Sequence, residues 1–267
     1  MSTTTALLTL SRRRFALSAH TPREIVVPLV TPVLFALVIA PALGTVFGTL
    51  RGGIDYMTFV ALATVGLLVP INTMFAGIGV IVDRQSGAQR ELLAAPIPRD
   101  LVVLGNLTVA VALTALQVAV LVAAGALRGA KFDVGASGIG WFVGAVLLLT
   151  IGMYGVAEIV ANRSPTQEGY IGAVPAIAIV PWFFAGSLFP ISTLPAGLTV
   201  IAKILPLTHA LALIRYAFLD HRGTGLHDIW GLGNTTGMAA LSLAVLAVFA
   251  VLTTSLAMSV FDRSVRQ

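Results

Sequence analysis

The sequence predicts an all-α integral membrane protein of about six transmembrane helices. An N-terminal amphipathic interface helix precedes them, a short cytoplasmic helix joins spans two and three, and a re-entrant outer helical hairpin lies between spans five and six. Three observations carry this prediction. Only 10% of the 267 residues are charged, 57% are hydrophobic and the mean hydropathy is +0.97, where a soluble domain has about 25% charged residues. The apolar residues fall in runs of the length that carries a helix across roughly 30 Å of hydrocarbon. The charges crowd into the breaks between those runs, above all into residues 83–100.

Residues 1–24 hold Arg12, Arg13, Arg14 and Arg23, with Leu7, Leu10, Phe15 and Leu17 interspersed. That pattern fits a helix lying along the cytoplasmic leaflet, with a break at Thr21 and Pro22 before the first span. Residues 25–267 read as a single transmembrane domain, with spans at about 26–50, 58–82, 101–127, 139–161, 170–189 and 235–261. Pro175 and Pro181 predict a kink in the fifth. Residues 196–219 are apolar and nearly long enough to cross, but Pro206 interrupts them. Lys203 and Arg215 would each cost about 2.5–3.5 kcal/mol at a span centre. The expectation is therefore a re-entrant pair of short helices, opened by Pro195 and separated by Pro206.

Six spans put both termini on one side. Arg12, Arg13, Arg14, Arg23, Arg84, Arg90, Arg99, Arg163, Arg263 and Arg266 share that side, ten of the sixteen Lys and Arg residues, which predicts that it is cytoplasmic. The break between spans two and three then faces the cytoplasm. Within it, residues 86–95 read as one short helix, stopped by Pro96 and Pro98 because proline lacks the amide donor and clashes with the preceding turn. Ala88, Leu92 and Leu93 share one face and Gln85, Gln89 and Arg90 lie largely off it, the outline of a docking helix.

Enzymatic chemistry is hard to assemble from these residues. The net charge of +5 and pI near 10.2 reflect arginines beside apolar spans, which record topology, so no nucleic-acid partner is expected. There is no cysteine, and no G-x-x-x-x-G-K-[ST] segment that would cradle a nucleotide. The four histidines, His20, His209, His221 and His227, all avoid span centres. Asp220, His221, His227 and Asp228 cluster in the predicted outer loop, where a solvated loop is the expectation over a surface metal site. No metal or cofactor is expected on this chain. Glu158 is the one acidic residue inside a predicted span, which makes it a candidate for a substrate path or for proton movement. It also lies about a turn from Asn162 and Arg163, near enough to reach the interface or pair with Arg163. Asn72 and Gln117 are expected to bond across helices, and Gly44 with Gly48 and Gly140 with Gly144 to allow close helix contacts within or between subunits.

Two segments resemble a known family. Asp83-Arg84-x-x-Gly87-x-x-Arg90-Glu91-Leu92-Leu93-x-x-Pro96 resembles the cytoplasmic loop of type-2 ABC exporter permeases, especially the bacterial drug-export branch, with Gln85 and Ala88 departing from the usual acidic residue and threonine. Gly186-Ser187-x-Phe189-Pro190-x-x-x-Leu194-Pro195, followed by Pro206-Leu207-Thr208 and Arg215, is similar to that family's end of span five and its outer hairpin. The resemblance covers most of the chain. It implies that residues 86–95 form a coupling helix fitting a cleft on a separate ATP-binding subunit, with Asp83, Arg84, Gly87, Arg90, Glu91, Leu92, Leu93, Pro96, Pro98 and Arg99 as the coupling residues. Arg12, Arg13, Arg14 and Arg23 would belong to the interface helix beside it. Ser187, Phe189, Pro190, Pro195, Pro206, Leu207, Thr208 and Arg215 would form an outer gate. It further implies two permease chains, alike or different, and two ATPase chains that hold ATP and Mg, in the inner membrane. The expected function is ATP-driven export of a hydrophobic or amphiphilic compound such as a drug, an antibiotic or a lipid. Polysaccharide export within the same family stays open, as does a proton-coupled secondary transporter built on Glu158.

Overall fold

The computed structural model describes residues 3–20, 22–50, 53–94 and 98–266. The chain folds around α4 (Tyr56–Gln85), which is apolar on all sides and buried along most of its length, as such a helix must be. Asp55 caps it, its Oδ2 accepting from the Thr58 amide at 2.8 Å and the Thr58 hydroxyl at 2.5 Å, which satisfies a donor the first turn leaves unpaired. Around α4 stand α2 (Pro22–Leu34) with α3 (Ala40–Phe47), α6 (Asp100–Leu127), α7 (Ala136–Arg163), α8 (Gln167–Val174) with α9 (Val180–Phe184), and α11 (Pro206–Phe218). The long α13 (Thr235–Arg266) packs along α7. Among the described residues, five helices are long and apolar enough to cross a membrane: Val26–Phe47, Tyr56–Gln85, Asp100–Leu127, Ala136–Arg163 and Thr235–Arg263. They coincide with predicted spans one to four and six, and the protein is an all-α integral membrane protein.

The first span ends at Phe47 rather than at residue 50. Gly48 turns the chain at φ 61°, and Thr49–Leu50 (β1) pairs antiparallel with Ile54–Asp55 (β2), so the link to α4 is a small hairpin and not a loose loop. The predicted fifth span is a helical run over residues 167–184, about 27 Å long at 1.5 Å per residue. It stops five residues short of the expected end, where Gly186 turns at φ 78°. The expected kink takes the form of a π-helical turn over Pro175–Ile179, and a matching turn, Phe35–Ile39, interrupts the first span. In both, the amide just before a proline, that of Val180 or Ala40, bonds five residues back, to the carbonyl of Pro175 or Phe35. The widened turn makes room for the rings of Pro181 and Pro41, which clash in a regular α-turn.

Where a re-entrant hairpin is predicted, α10 (Ala196–Ile204) and α11 form a helix pair bent by 81°, a shape that a broken span and a re-entrant loop share. Leu205 between them is extended, the conformation a following proline imposes. A further short helix, α12 (Thr224–Trp230), lies in the predicted outer loop. Gly223 supplies a left-handed turn, and the Asp220 carboxylate accepts from the Thr224 amide at 2.7 Å.

Small residues and buried amides join the helices. Asn72 donates to Thr114, linking α4 to α6, as expected. Gly44 packs against Met57 within the chain and Gly48 ends a helix, so both serve the subunit's own fold.

Candidate coupling end and outer hairpin

One end of the bundle gathers the N-terminal helix α1 (Thr3–Ala19), the 83–100 loop and the end of α13. Asp83, at the foot of α4, accepts two hydrogen bonds from Arg13, Nη2 to Oδ1 at 3.0 Å and Nη1 to Oδ2 at 3.2 Å. The next residue reaches the opposite way. Arg84 donates to the carbonyls of Ala161, Asn162 and Ser164 at the end of α7. Neighbouring side chains thus tie the foot of α4 to α1 and to α7, so Asp83 and Arg84 hold the loop's root inside this chain.

After Gly87, whose φ of 81° lets the chain reverse sharply, the loop forms α5 (Ala88–Ala94), which starts two residues later than the expected 86–95; residue 95 lies outside the described residues. Arg90, Glu91 and Ala94 are exposed. Leu92 and Leu93, expected on a docking face, are half-buried and pack on the cluster of Ala6, Leu10, Leu101 and Val102 from α1 and α6. This seating has a simple cause. In a loop bordered by apolar helices, leucines lower the free energy by covering those helices first, at about 1 kcal/mol for each half-buried side chain. Pro98 is exposed, its carbonyl accepting from the Leu101 amide, and Arg99 approaches Asp262 of α13 at 3.9 Å. Pro96 and the side chain of Arg23 lie outside the described residues.

The α1 helix presents three arginines in three environments. Arg12 is exposed and Arg13 grips Asp83. Arg14 is buried on the stripe of Ala6, Leu10 and Ser18, and its guanidinium lies over Gly79 of α4, so close that a β-carbon there would meet it at 2.1 Å. Leu8 and Phe15 stay exposed beside Arg12, the mixture an interfacial helix carries.

Glu158 is fully buried in α7 at this end. The Tyr154 hydroxyl donates to its Oε2 at 2.9 Å and the Asn162 amide to its Oε1 at 3.2 Å, with Arg14 within electrostatic reach. Arg163 is exposed, and of the two alternatives for Glu158 the pair with Arg163 does not form, Tyr154 and Asn162 holding the carboxylate instead. Sequence spacing located the acid, and its actual partner Tyr154 sits at i−4 on the same helix face. Arg14 and Gly79 carried no such local signal.

At the far end, Arg215 of α11 organises the chain after α9. Its Nη1 donates to the Gly186 carbonyl at 2.7 Å and its Nη2 to the Ser187 carbonyl at 2.8 Å, while the guanidinium lies 3.4 Å over the Phe59 ring. Ser187 is buried, its hydroxyl donating to the Trp182 carbonyl at 2.5 Å, and Tyr56 donates to the Leu188 carbonyl at 2.9 Å. Phe189 and Pro195 are exposed, Pro190 and Pro206 half-buried, and Leu207 and Thr208 buried. Phe59 and Tyr56 joined this group without a sequence signal. Asp220, His221 and Asp228 take separate partners, Thr224, Asp133 and Ser192 respectively, and no group of three metal-ligating side chains forms among the described residues.

The chain is thus a multi-span helical membrane bundle with a short charged loop helix at one end and a broken helix pair at the other. Residues 5–219 match the family described as ABC-2 type transporter, and the chain belongs to that family. It is 25% identical over 203 residues to "Nodulation protein J" of Rhizobium leguminosarum bv. trifolii, covering 72% of this chain and 73% of that protein. It is 26% identical over 214 residues to "Inner membrane transport permease YadH" of Escherichia coli K12, covering 78% of each. Against "Putative transport permease ycf38" of Porphyra purpurea it is 30% identical over 147 residues, 54% of this chain and 49% of the relative. The protein is thus a transport membrane subunit of the ABC-2 class.

Proposed function

We propose that this chain is the membrane-spanning subunit of an ATP-driven exporter of hydrophobic or amphiphilic compounds, set in the inner membrane with both termini and the 83–100 loop in the cytoplasm. A separate ATP-binding subunit, which holds ATP and Mg, docks on the exposed Arg90–Glu91 face of α5. Two permease chains and two ATPase chains make the working transporter. The observation that carries this reading is the mounting of α5. Its leucines seat it on α1 and α6, and Asp83 and Arg84 brace its root to α1 and α7. A push on its polar face therefore passes into α1, α6 and α7, as a lever requires.

The test is a mild-detergent pull-down of the tagged chain from its native membrane, wild type beside an Arg90→Glu, Glu91→Arg double variant. A P-loop ATPase bound by wild type and lost from the variant is the expected result. Equal capture by both overturns the docking face. No ATPase with wild type, under conditions that keep the permease assembled, overturns the ATP-driven reading.

A further inference from the structure

A cavity at the end that holds α10 and α11 has a volume of about 780 Å³ and is lined by elements far apart in sequence. Its floor is apolar, built from Phe59, Ile191, Ala212 and Leu219. Its rim carries Asp228, half-buried, whose Oδ2 accepts from the Ser192 hydroxyl at 3.0 Å. The volume and the predominantly apolar lining match the sites that hold small organic ligands.

The polar groups at this cavity fall into two sets. The guanidinium head of Arg215 is covered, its two terminal nitrogens bonded to backbone carbonyls and its face on Phe59. The Asp220 carboxylate caps α12. Asp228, by contrast, has only the Ser192 hydroxyl as a hydrogen-bonded partner among the described residues, and no cation neutralises it there. Deeper, Thr208 lines the cavity, is 3% exposed, and its hydroxyl has no hydrogen-bond partner among the described residues. A buried hydroxyl without a partner costs about 1–3 kcal/mol, and an occupant bearing a polar atom removes that cost.

We propose that this cavity binds an amphiphilic organic cation, with its apolar body on the Phe59–Leu219 floor and its positive group at Asp228. The proposal deepens the export reading, since it names the substrate class and a subunit-internal site for it, but the binding itself requires no ATPase. A carboxylate at the mouth of an apolar pocket favours a cation over an equally greasy neutral molecule, because the charge contact adds to the area burial that both share.

Binding of rhodamine 6G, a cationic amphiphile, to the purified full chain in phosphatidylcholine nanodiscs tests it, with empty nanodiscs subtracted and uncharged Nile red run in parallel. Saturable binding of rhodamine 6G is expected. Asp228→Asn should weaken it about fivefold, the scale of one partly exposed charge contact, leave Nile red unchanged, and be reversed by Asp228→Glu. Ser192→Trp, which fills the mouth from the exposed side, should exclude both dyes. No saturable binding, or equal binding to wild type, Asp228→Asn and Ser192→Trp, overturns the proposal. Dye binding by a chain that captures no ATPase sinks the export reading and leaves the site standing. ATPase capture without dye binding does the reverse.

Discussion

Arg13 holds Asp83 by two parallel hydrogen bonds across seventy residues of sequence, joining the N-terminal helix to the foot of the central span. The fork-to-fork geometry is the strongest form such a pair takes. Solvent reaches Arg13 more than Asp83, with side-chain exposures of 32% and 13%, so its contribution is discounted to about 1 kcal/mol. Arg13→Ala and Asp83→Ala should each lower thermal stability in detergent, and the double variant should lose less than the two losses added. Fully additive losses would mean the pair contributes nothing.

Two kinds of substitution on α5 should separate mounting from docking. Leu92→Ala with Leu93→Ala strips the contact with Ala6, Leu10 and Leu101 and should cost about 2 kcal/mol in all, lowering both melting temperature and ATPase capture. The Arg90→Glu, Glu91→Arg exchange touches exposed groups and should reduce capture with the melting temperature unchanged. Paired melting and pull-down measurements on the same preparations distinguish the two.

Gly79→Ala should displace Arg14, whose guanidinium occupies the space a β-carbon would need. Freed from α4, α1 should exchange its amide hydrogens faster while the centres of α4 and α7 stay protected. Unchanged exchange in α1 would show that the arginine swings aside without loosening the helix.

Arg215→Lys should destabilise the outer end by about 2 kcal/mol, since an ammonium cannot bridge the Gly186 and Ser187 carbonyls and lie flat on Phe59 together. A melting temperature equal to wild type would count against the staple. Glu158→Gln, in contrast, keeps an acceptor for Tyr154 and a partner for Asn162. It should retain ATPase capture and transport. Loss of an uncoupler-sensitive transport in that variant would mark Glu158 as a proton carrier instead.

The long apolar runs made the spans legible because bilayer thickness converts directly into residue count. Prolines made the break between α10 and α11 legible for an equally local reason, as the extended Leu205 before Pro206 illustrates. What the sequence hid was pairwise and distant. Nothing near Asp83 points to Arg13, nothing near Gly79 to Arg14, and the carbonyls that hold Arg215 belong to backbone groups that every residue carries. The seating of Leu92 and Leu93 on α1 and α6 was hidden for the same reason. A helical wheel shows which residues share a face, and only the neighbours α1 and α6 decide which way that face turns.

The wide turn over Pro175–Ile179 has a consequence for angular phase. Tyr170 donates to the Met74 carbonyl and Trp182 to the Ala63 carbonyl, so two side chains twelve positions apart grip the same helix. At about 100° per residue, twelve regular steps would leave them about 120° out of line. A turn that absorbs one surplus residue reduces the interval to eleven effective steps and the misalignment to about 20°. The proline-terminated turn therefore works as a phase corrector. Loss of one residue between the two anchors is absorbed by reversion to plain α-helix, whereas gain of one rotates Trp182 off its carbonyl and turns the Arg215-held end of the chain with it.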